Sequence, residues 1–199
     1  MLGIVLDCSS LIPCSEKPEE MKRAIQDLGH ILYNLNCAVV YFSPKLVRIY
    51  HRKVEPLLRR YCQQQPLPPF QAGLLRSLPV LMRIVESVRS LLCEVKQTKE
   101  GLRFHVLETS YVQSYEVNDL GLKQEDDKEV LRIALAATSK HKKVFLVTAD
   151  RHLLEVNRAK IMQKYPHEAQ RLEIVAPDDQ NLMNTLVTLT SLCCSLVRS

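Results

Sequence analysis

The sequence predicts an α/β fold, a three-layer α/β/α sandwich built on a central and mostly parallel sheet. Short apolar runs of β-forming residues alternate along the chain with longer stretches in which apolar residues recur at helical spacing. This alternation favours parallel strands joined by helices that cover both faces of the sheet. The chain has 199 residues, of which 46% are apolar, and this is enough to bury one substantial core. We therefore expect a single domain that spans residues 1–199.

The first part of the chain predicts two strands and two helices. Apolar residues 2–6 predict a buried strand that delivers Asp7 to its carboxyl end. Helical spacing of apolar residues, with two glutamates at the start, predicts a helix over 19–35. The compact run at 37–42 is typical of a second buried strand. A serine–proline pair then begins a helix that we expect to reach about residue 61.

A proline-rich loop and a long helical stretch follow. Three prolines within 63–70 predict the loop, and apolar spacing predicts a helix over 72–97 that is bent at Pro79. We interpret residues 56–100 as a helical insertion in the domain. Its apolar positions are more than one amphipathic stripe needs, so packing on the core, a homodimer contact and a lid over the site all stay open as interpretations.

The second half of the chain repeats the alternation of strand and helix. One of its strands again ends on an aspartate, Asp150, and a strong helix that begins at Asp126 leads into that strand. The predicted strands lie at 102–107, 144–150 and 172–176, and the predicted helices lie at 126–140, 152–165 and 178–199.

The composition limits the classes of function. A net charge of +5 is a mild excess that is compatible with a polyanionic partner. Seven cysteines show no zinc-type spacing and no signature of a cysteine nucleophile. The chain contains no phosphate-binding loop or dinucleotide fingerprint. We see no secretory leader and no run near the roughly 18 apolar residues of a membrane span, so we expect a cytoplasmic protein with reduced thiols.

Acidic residues stand where the predicted sheet has its carboxyl edge. Asp7 and Asp150 are each the first acid after an apolar strand, and Asp126 and Asp127 begin the helix that precedes the second of those strands. Carboxylates that converge at this edge repel one another unless they bind cations, share a proton or pair with a basic residue. Oxygen ligands suit Mg²⁺ or Mn²⁺, and such ions activate water and polarise phosphodiesters.

Each acid also has a simpler explanation. Asp150 could form a turn or cap the next helix, and either Asp126 or Asp127 could supply the negative charge that a helix start favours. Asp7 is harder to explain in this way, because hydrophobic residues surround it on both sides. The combination is therefore a stronger signal than any single member.

At these residues the sequence resembles the PIN-domain nucleases. The opening VLDCSSLI resembles the first motif of that family, and DDKEVLRIALAA followed by VFLVTADRHLL resembles its third and fourth motifs. The later LEIVAPDD resembles the closing strand and turn of such domains. The resemblance covers residues 1–50 and 120–180 in the correct order.

The resemblance implies a PIN-like fold and a Mg²⁺- or Mn²⁺-dependent endoribonuclease that hydrolyses RNA phosphodiester bonds. It assigns the catalytic, metal-holding role to three acids and an orienting role to two hydroxyl residues. Asp127 fits the third acid best because Leu131 stands at the expected offset, and Asp126 is the alternative. The residues in these roles are Asp7, Asp127 and Asp150 for the metal, and Ser9 and Thr148 for orientation.

One position departs from the family pattern. The family carries Ser-Pro-x-Leu-x-x-Glu-Tyr after the second strand, whereas this chain reads SPKLVRIY and has Ile49 in place of the glutamate. The nearest acid on that helix is Glu55, nearly two turns further on, and Glu108, Glu116 and Asp119 are candidate replacements. Without a replacement the site would be one ligand short, and three carboxylates could still bind one ion that keeps several waters. The alternative is a catalytically degenerate PIN-like module that binds RNA or a protein partner without cleavage.

The same helix is unusually basic. Six basic residues lie between Pro44 and Gln64 against a single acid, and tyrosine and histidine side chains stand among them. This pattern suits phosphate contacts with base stacking, although a solvated helix face would have a similar composition. The candidate RNA-binding residues are Lys45, Arg48, Arg52, Lys53, Arg59 and Arg60.

Overall fold

A computed structural model describes residues 2–13, 16–35, 37–87, 93–97 and 103–196. In these residues six strands form one sheet, and all neighbouring strands are parallel except for the pair at one edge. The strands are β1 (Leu2–Leu6), β2 (Ala38–Phe42), β3 (Cys93–Gln97), β4 (Arg103–Val106), β5 (Val144–Val147) and β6 (Leu172–Val175). Their order across the sheet is β3-β4-β2-β1-β5-β6, and β3 is the antiparallel edge strand.

Helices connect the strands and follow the last one. They are α1 (Glu19–Asn34), α2 (Pro44–Ile49), α3 (Glu55–Gln64), α4 (Pro69–Ser87), α5 (Thr109–Gln113), α6 (Glu125–Ala137), α7 (Arg151–Leu154), α8 (Arg158–Lys164), α9 (Pro166–Ala169) and α10 (Gln180–Leu196). A 3₁₀ turn lies at Cys8–Ser10 and a π-helical turn at Tyr50–Val54. None of the helices in the described residues has the length and apolar character needed to cross a membrane.

The helices cover both faces of the sheet. α1 connects β1 to β2, whereas α5 and α6 connect β4 to β5 in the opposite direction across the sheet. Right-handed crossovers therefore place α1 and α6 on opposite faces. α6 packs against β1, β2 and β5, and α1 packs against α4 and α10. The predicted three-layer α/β/α sandwich with a mostly parallel sheet is confirmed.

Local sequence explains where several elements begin. The Ser43 hydroxyl accepts a hydrogen bond from the Leu46 amide at 3.1 Å, and Pro44 stands in the first turn of α2. α1 begins with two glutamates and α6 with three acids, where the helix dipole favours negative charge. Every residue of β1, β2 and β5 is buried, as expected for central parallel strands.

Two predicted helices differ from the structure. Within the described residues, the stretch 72–97 is helical in α4, and residues 93–97 form β3. The helix predicted over 152–165 is divided into α7 and α8. The first prediction was wrong because apolar spacing alone does not reveal an edge strand, which is defined by its pairing with β4. The second was wrong because Asn157 begins a new helix, where its side-chain oxygen accepts from the Lys160 amide at 3.0 Å.

The segment that we interpret as an insertion contributes to the core. Phe70, Leu74 and Leu78 of α4 are buried in the same cluster as the sheet, and Leu58 of α3 joins them. Three interpretations of the many apolar residues in this segment were open. For the face of α4 that carries Phe70, Leu74 and Leu78, the structure shows packing on the core. The domain limits at 1–199 and the insertion limits at 56–100 stay predictions.

We expect Gly29→Ala to destabilise the protein by about 1–3 kcal/mol, because the packing of α1 against α4 leaves no room for a methyl group. A Cβ at this position would lie 2.2 Å from the Gln71 Oε1 atom and 2.9 Å from the Pro68 Cβ atom. Urea unfolding followed by circular dichroism measures the change. His30→Ala, on the exposed side of the same helix, is the control, and equal stability of the two variants would contradict the prediction.

Candidate functional site

The register of β1 against β5 brings the first two predicted site residues together. Leu6 pairs with Val147, and the Asp7 amide donates to the Val147 carbonyl at 2.9 Å. Asp7 and Thr148 therefore leave the sheet side by side. The Thr148 hydroxyl donates to Asp7 Oδ2 at 3.0 Å, so the expected orienting role of Thr148 agrees with its contact.

Ser9 completes the hydrogen bonding of Asp7. Its amide donates to Asp7 Oδ2 at 3.1 Å, and its hydroxyl donates to the same oxygen. One carboxylate oxygen thus accepts three hydrogen bonds, two of them from the 3₁₀ turn that follows β1. This arrangement holds the Asp7 side chain in one orientation.

The same two hydroxyl groups also hold the loop after β5. The Ala149 amide donates to the Ser9 hydroxyl at 2.8 Å, and the Asp150 amide donates to the Thr148 hydroxyl at 2.9 Å. The Asp150 carboxylate caps α7, because its Oδ1 atom accepts from the His152 amide at 2.7 Å. The capping role considered from sequence is therefore present, and it leaves the second carboxylate oxygen of Asp150 available.

Asp127 is the most unusual member of the group. Its side chain is only 6% exposed, and its Oδ2 atom is buried without a hydrogen-bond donor in the described part of the chain. Burial, together with the charges of Asp150, Asp7 and Asp126, raises the pKa of Asp127 to about 6. The structure therefore places Asp127 in the negative field of the other acids.

Asp126 points in a different direction from its neighbour. It forms an ion pair with Lys53, a residue of the π-helical turn. This hydrogen bond raises the pKa of Lys53. Of the two adjacent acids at the start of α6, Asp126 is therefore neutralised by a lysine, whereas Asp127 is the one left unpaired.

The π-helical turn explains what has replaced the expected glutamate. Ile49 is 3% exposed and belongs to the core, so this position supplies no carboxylate. Directly after it, Tyr50 donates its hydroxyl to the Leu6 carbonyl, which lies one residue before Asp7. Lys53 reaches the acids from the same turn. The segment thus contributes a hydroxyl anchor and a positive charge.

The candidate replacements for that glutamate are engaged elsewhere. Glu55 accepts from Arg59 at 2.7 Å and from His51 at 2.7 Å, and these partners lower the pKa of Glu55 against the effect of its burial. Glu116 and Asp119 lie near Lys164, at 3.6 and 3.0 Å. Glu108 is exposed and accepts from the Ser110 hydroxyl. None of the four is among the charges that raise the pKa of Asp127.

Sequence reasoning missed one buried carboxylate beside the site. Glu129 is 1% exposed and accepts hydrogen bonds from the Ser43 hydroxyl and from Gln113 Nε2. Arg132 lies 3.9 Å from it on the next turn of α6. Because Ser43 and Gln113 are distant in sequence, no local pattern could have identified this contact. It joins the starts of α2 and α6 and holds α5 beside them.

The six predicted RNA-binding residues divide into two groups. Three of them face acids: Lys45 lies 3.8 Å from Glu125, Arg59 pairs with Glu55, and Lys53 pairs with Asp126. The other three, Arg48, Arg52 and Arg60, are exposed and form no ion pair within the described residues.

Cys8 lies next to the acids but is not suited to nucleophilic catalysis. Burial, followed by the charges of Asp7 and Asp126, raises the pKa of the Cys8 thiol to about 12. The thiolate is the reactive form of cysteine, so Cys8 stays protonated and unreactive at neutral pH.

The carboxylates do not form a complete set of metal ligands as they stand. Within the described residues, no three histidine, cysteine, aspartate or glutamate side chains are grouped closely enough to hold a metal ion. The donorless oxygen of Asp127 and the repulsion around it are nevertheless features that a cation with a preference for oxygen ligands would relieve. The metal site at Asp7, Asp127 and Asp150 stays a prediction.

Comparison of the chain with protein-family models, with curated proteins and with solved structures gives no match.

We expect Asp127→Asn to stabilise the metal-free protein by about 1–3 kcal/mol at about pH 8. The pKa of Asp127 is about 6 in the folded protein against an ordinary value of 3.8. An acid with a raised pKa favours the folded state at low pH, and this contribution is lost as the pH rises through that range. The asparagine variant should therefore gain stability at about pH 8 and show no gain at about pH 4.

Urea unfolding in EDTA at both pH values measures this difference. Asp126→Asn is the matched control, because Asp126 already has Lys53 as a partner and its loss should change stability by less than about 1 kcal/mol. If Asp127→Asn were no more stable than the wild type at about pH 8, the neighbouring acids would not destabilise the charged form of Asp127.

Proposed function

We propose that this protein is a PIN-like, Mg²⁺- or Mn²⁺-dependent endoribonuclease whose acidic site consists of Asp7, Asp127 and Asp150. The observation that carries the proposal is the buried and donorless carboxylate oxygen of Asp127, which faces the charges of the other two acids. An arrangement with this electrostatic cost at the carboxyl edge of a parallel sheet is characteristic of a ligand site. The order of the three acids along the chain and the resemblance of their motifs support the family assignment.

The residues around the acids suit the binding of an oxygen-coordinated cation. The three hydrogen bonds on Asp7 Oδ2 orient that side chain in advance, and the cap on α7 does the same for Asp150. When bound, a divalent ion would activate water and stabilise negative charge on the phosphodiester. Binding would also offset the repulsion at Asp127.

RNA is the proposed substrate because exposed arginines lie on the helices that follow β2. Arg48, Arg52 and Arg60 have no competing acid within the described residues and can contact phosphates. We place the reaction in the cytoplasm. Cys8 and Cys62 are free thiols, which is consistent with a reducing compartment.

A second candidate function is RNA or protein binding without cleavage. Ile49 in the core supports it, because no carboxylate takes the place of the expected glutamate. The ion pair of Lys53 with Asp126 supports it further, since a lysine beside the acids can contact a phosphate without any metal. The two candidates differ in whether bound RNA is cleaved when a divalent ion is present.

We expect the wild-type protein to cleave labelled RNA in the presence of Mn²⁺, and Asp127→Asn to reduce the rate by at least about 100-fold. Asp126→Asn is the matched control and should retain most of the activity. A shift of the melting temperature with Mn²⁺ provides a second readout, which Asp127→Asn should abolish. Equal cleavage by both variants, or no cleavage by the wild type with Mn²⁺ or Mg²⁺, would reject the nuclease proposal. Binding without cleavage would then be the remaining candidate function.

We expect Arg52→Gln combined with Arg60→Gln to weaken the binding of single-stranded RNA in a salt-dependent way. Loss of two phosphate contacts should lower the slope of log K against log salt by about 1.4. Filter binding or fluorescence anisotropy in EDTA measures the slope. Arg23→Gln, which removes an exposed charge from α1, is the control and should leave the slope unchanged. An unchanged slope in the arginine variant would exclude these helices from RNA contact.

A further inference from the structure

A cavity lies at the amino edge of the sheet, away from the acidic site. It is lined by Leu2 at the start of β1, by Cys37 before β2, and by residues 140–143, which connect α6 to β5. Thr185 and Leu189 of α10 close its other side. Five-residue strands separate this edge from Asp7 by roughly 17 Å. The volume of the cavity is about 610 Å³, which is in the range of sites for small organic ligands.

The rim of this cavity is strongly basic. Residues 140–143 read Lys-His-Lys-Lys. The Lys143 ammonium group is already paired, because it lies 2.9 Å from a Glu173 carboxylate oxygen and over the ring of Phe145. Lys140 and Lys142 are exposed and form no ion pair within the described residues. Two uncompensated ammonium groups therefore stand at the mouth, and each can donate three hydrogen bonds to an anion.

Contacts of His141 fix the position of residues 140–143. His141 is buried, and its Nε2 atom makes a hydrogen bond of 2.7 Å with the Tyr41 hydroxyl, while the two rings meet edge to face. The ring also packs directly over Gly3, where a Cβ would lie 2.9 Å from His141 Cδ2. The connection that carries the two lysines is thus anchored to β1 and β2 at its histidine.

The rest of the lining differs chemically from residues 140–143. It consists of two leucines, a cysteine and a threonine, which are Leu2, Leu189, Cys37 and Thr185. A fully hydrated inorganic ion would leave this apolar surface unused. A ligand with an anionic group and an apolar or planar organic group would contact both parts.

We propose that this cavity binds a small phosphate ester, with its phosphate at Lys140 and Lys142 and its organic group against Leu2 and Leu189. Phosphate is favoured over a single carboxylate because two ammonium groups match its charge and its several acceptor oxygens. The proposal does not depend on the nuclease function. A nucleotide and an alkyl phosphate share this chemistry, and they are the two sources that binding measurements distinguish.

Isothermal titration calorimetry of the full chain with adenosine monophosphate, octyl phosphate and inorganic phosphate tests the proposal. We expect saturable binding of at least one ester, tighter than that of inorganic phosphate, and the tighter ester identifies the organic group. Lys140→Gln combined with Lys142→Gln should weaken binding by about tenfold. Thr185→Glu should weaken it at least as much, because the new carboxylate would repel the phosphate.

Thr188→Glu serves as the matched control, because it places the same charge on an exposed position of α10. It should bind the ester like the wild type, and circular dichroism verifies that all variants fold. Absence of saturable binding by both esters would overturn the proposal. The proposal would also be overturned if the Lys140/Lys142 and Thr185 variants bound the ester as tightly as the wild type does. The same holds if the wild type bound neither ester more tightly than inorganic phosphate.

Discussion

The parallel pairing of β1 with β5 is the constraint on which the candidate site depends. Because Leu6 lies opposite Val147, the chain leaves both strands at the same edge, and Asp7 meets Thr148. The hydrogen bonds that follow from this meeting hold the loop after each strand. A shift of the register by one residue would turn these side chains to the other face and remove the contact.

Asp127 shows how the fold tolerates an unfavourable charge. A buried carboxylate without a donor opposes folding, and the surrounding acids add to that cost. The same helix, α6, buries every residue from 129 to 137 against the sheet and its neighbours, and this apolar contact offsets the cost. The burial of these residues therefore stabilises α6 independently of Asp127.

The distribution of charge says more than its total. A net charge of +5 suggested only a mildly basic protein, yet the two ends of the sheet have opposite character. At the carboxyl edge, burial and the charges of three other aspartates raise the pKa of Asp127. At the amino edge, Lys140 and Lys142 line a cavity and form no ion pair within the described residues. Three of the six candidate RNA-binding residues form ion pairs with acids. The positive charge that is available to a polyanion is therefore smaller than the composition of this segment suggests.

The sequence by itself determined the alternation of strand and helix, and it placed Asp7 and Asp150 at the edge of the sheet, because both follow from local patterning. The tertiary structure decided the surroundings of the two adjacent acids of α6, since only a long-range contact shows that Asp126 pairs with Lys53. It also decided that β3 is a strand and that Glu129 is buried, because each depends on partners distant along the chain. Local pattern predicts an element and its end; the direction of a side chain is decided by what packs against it.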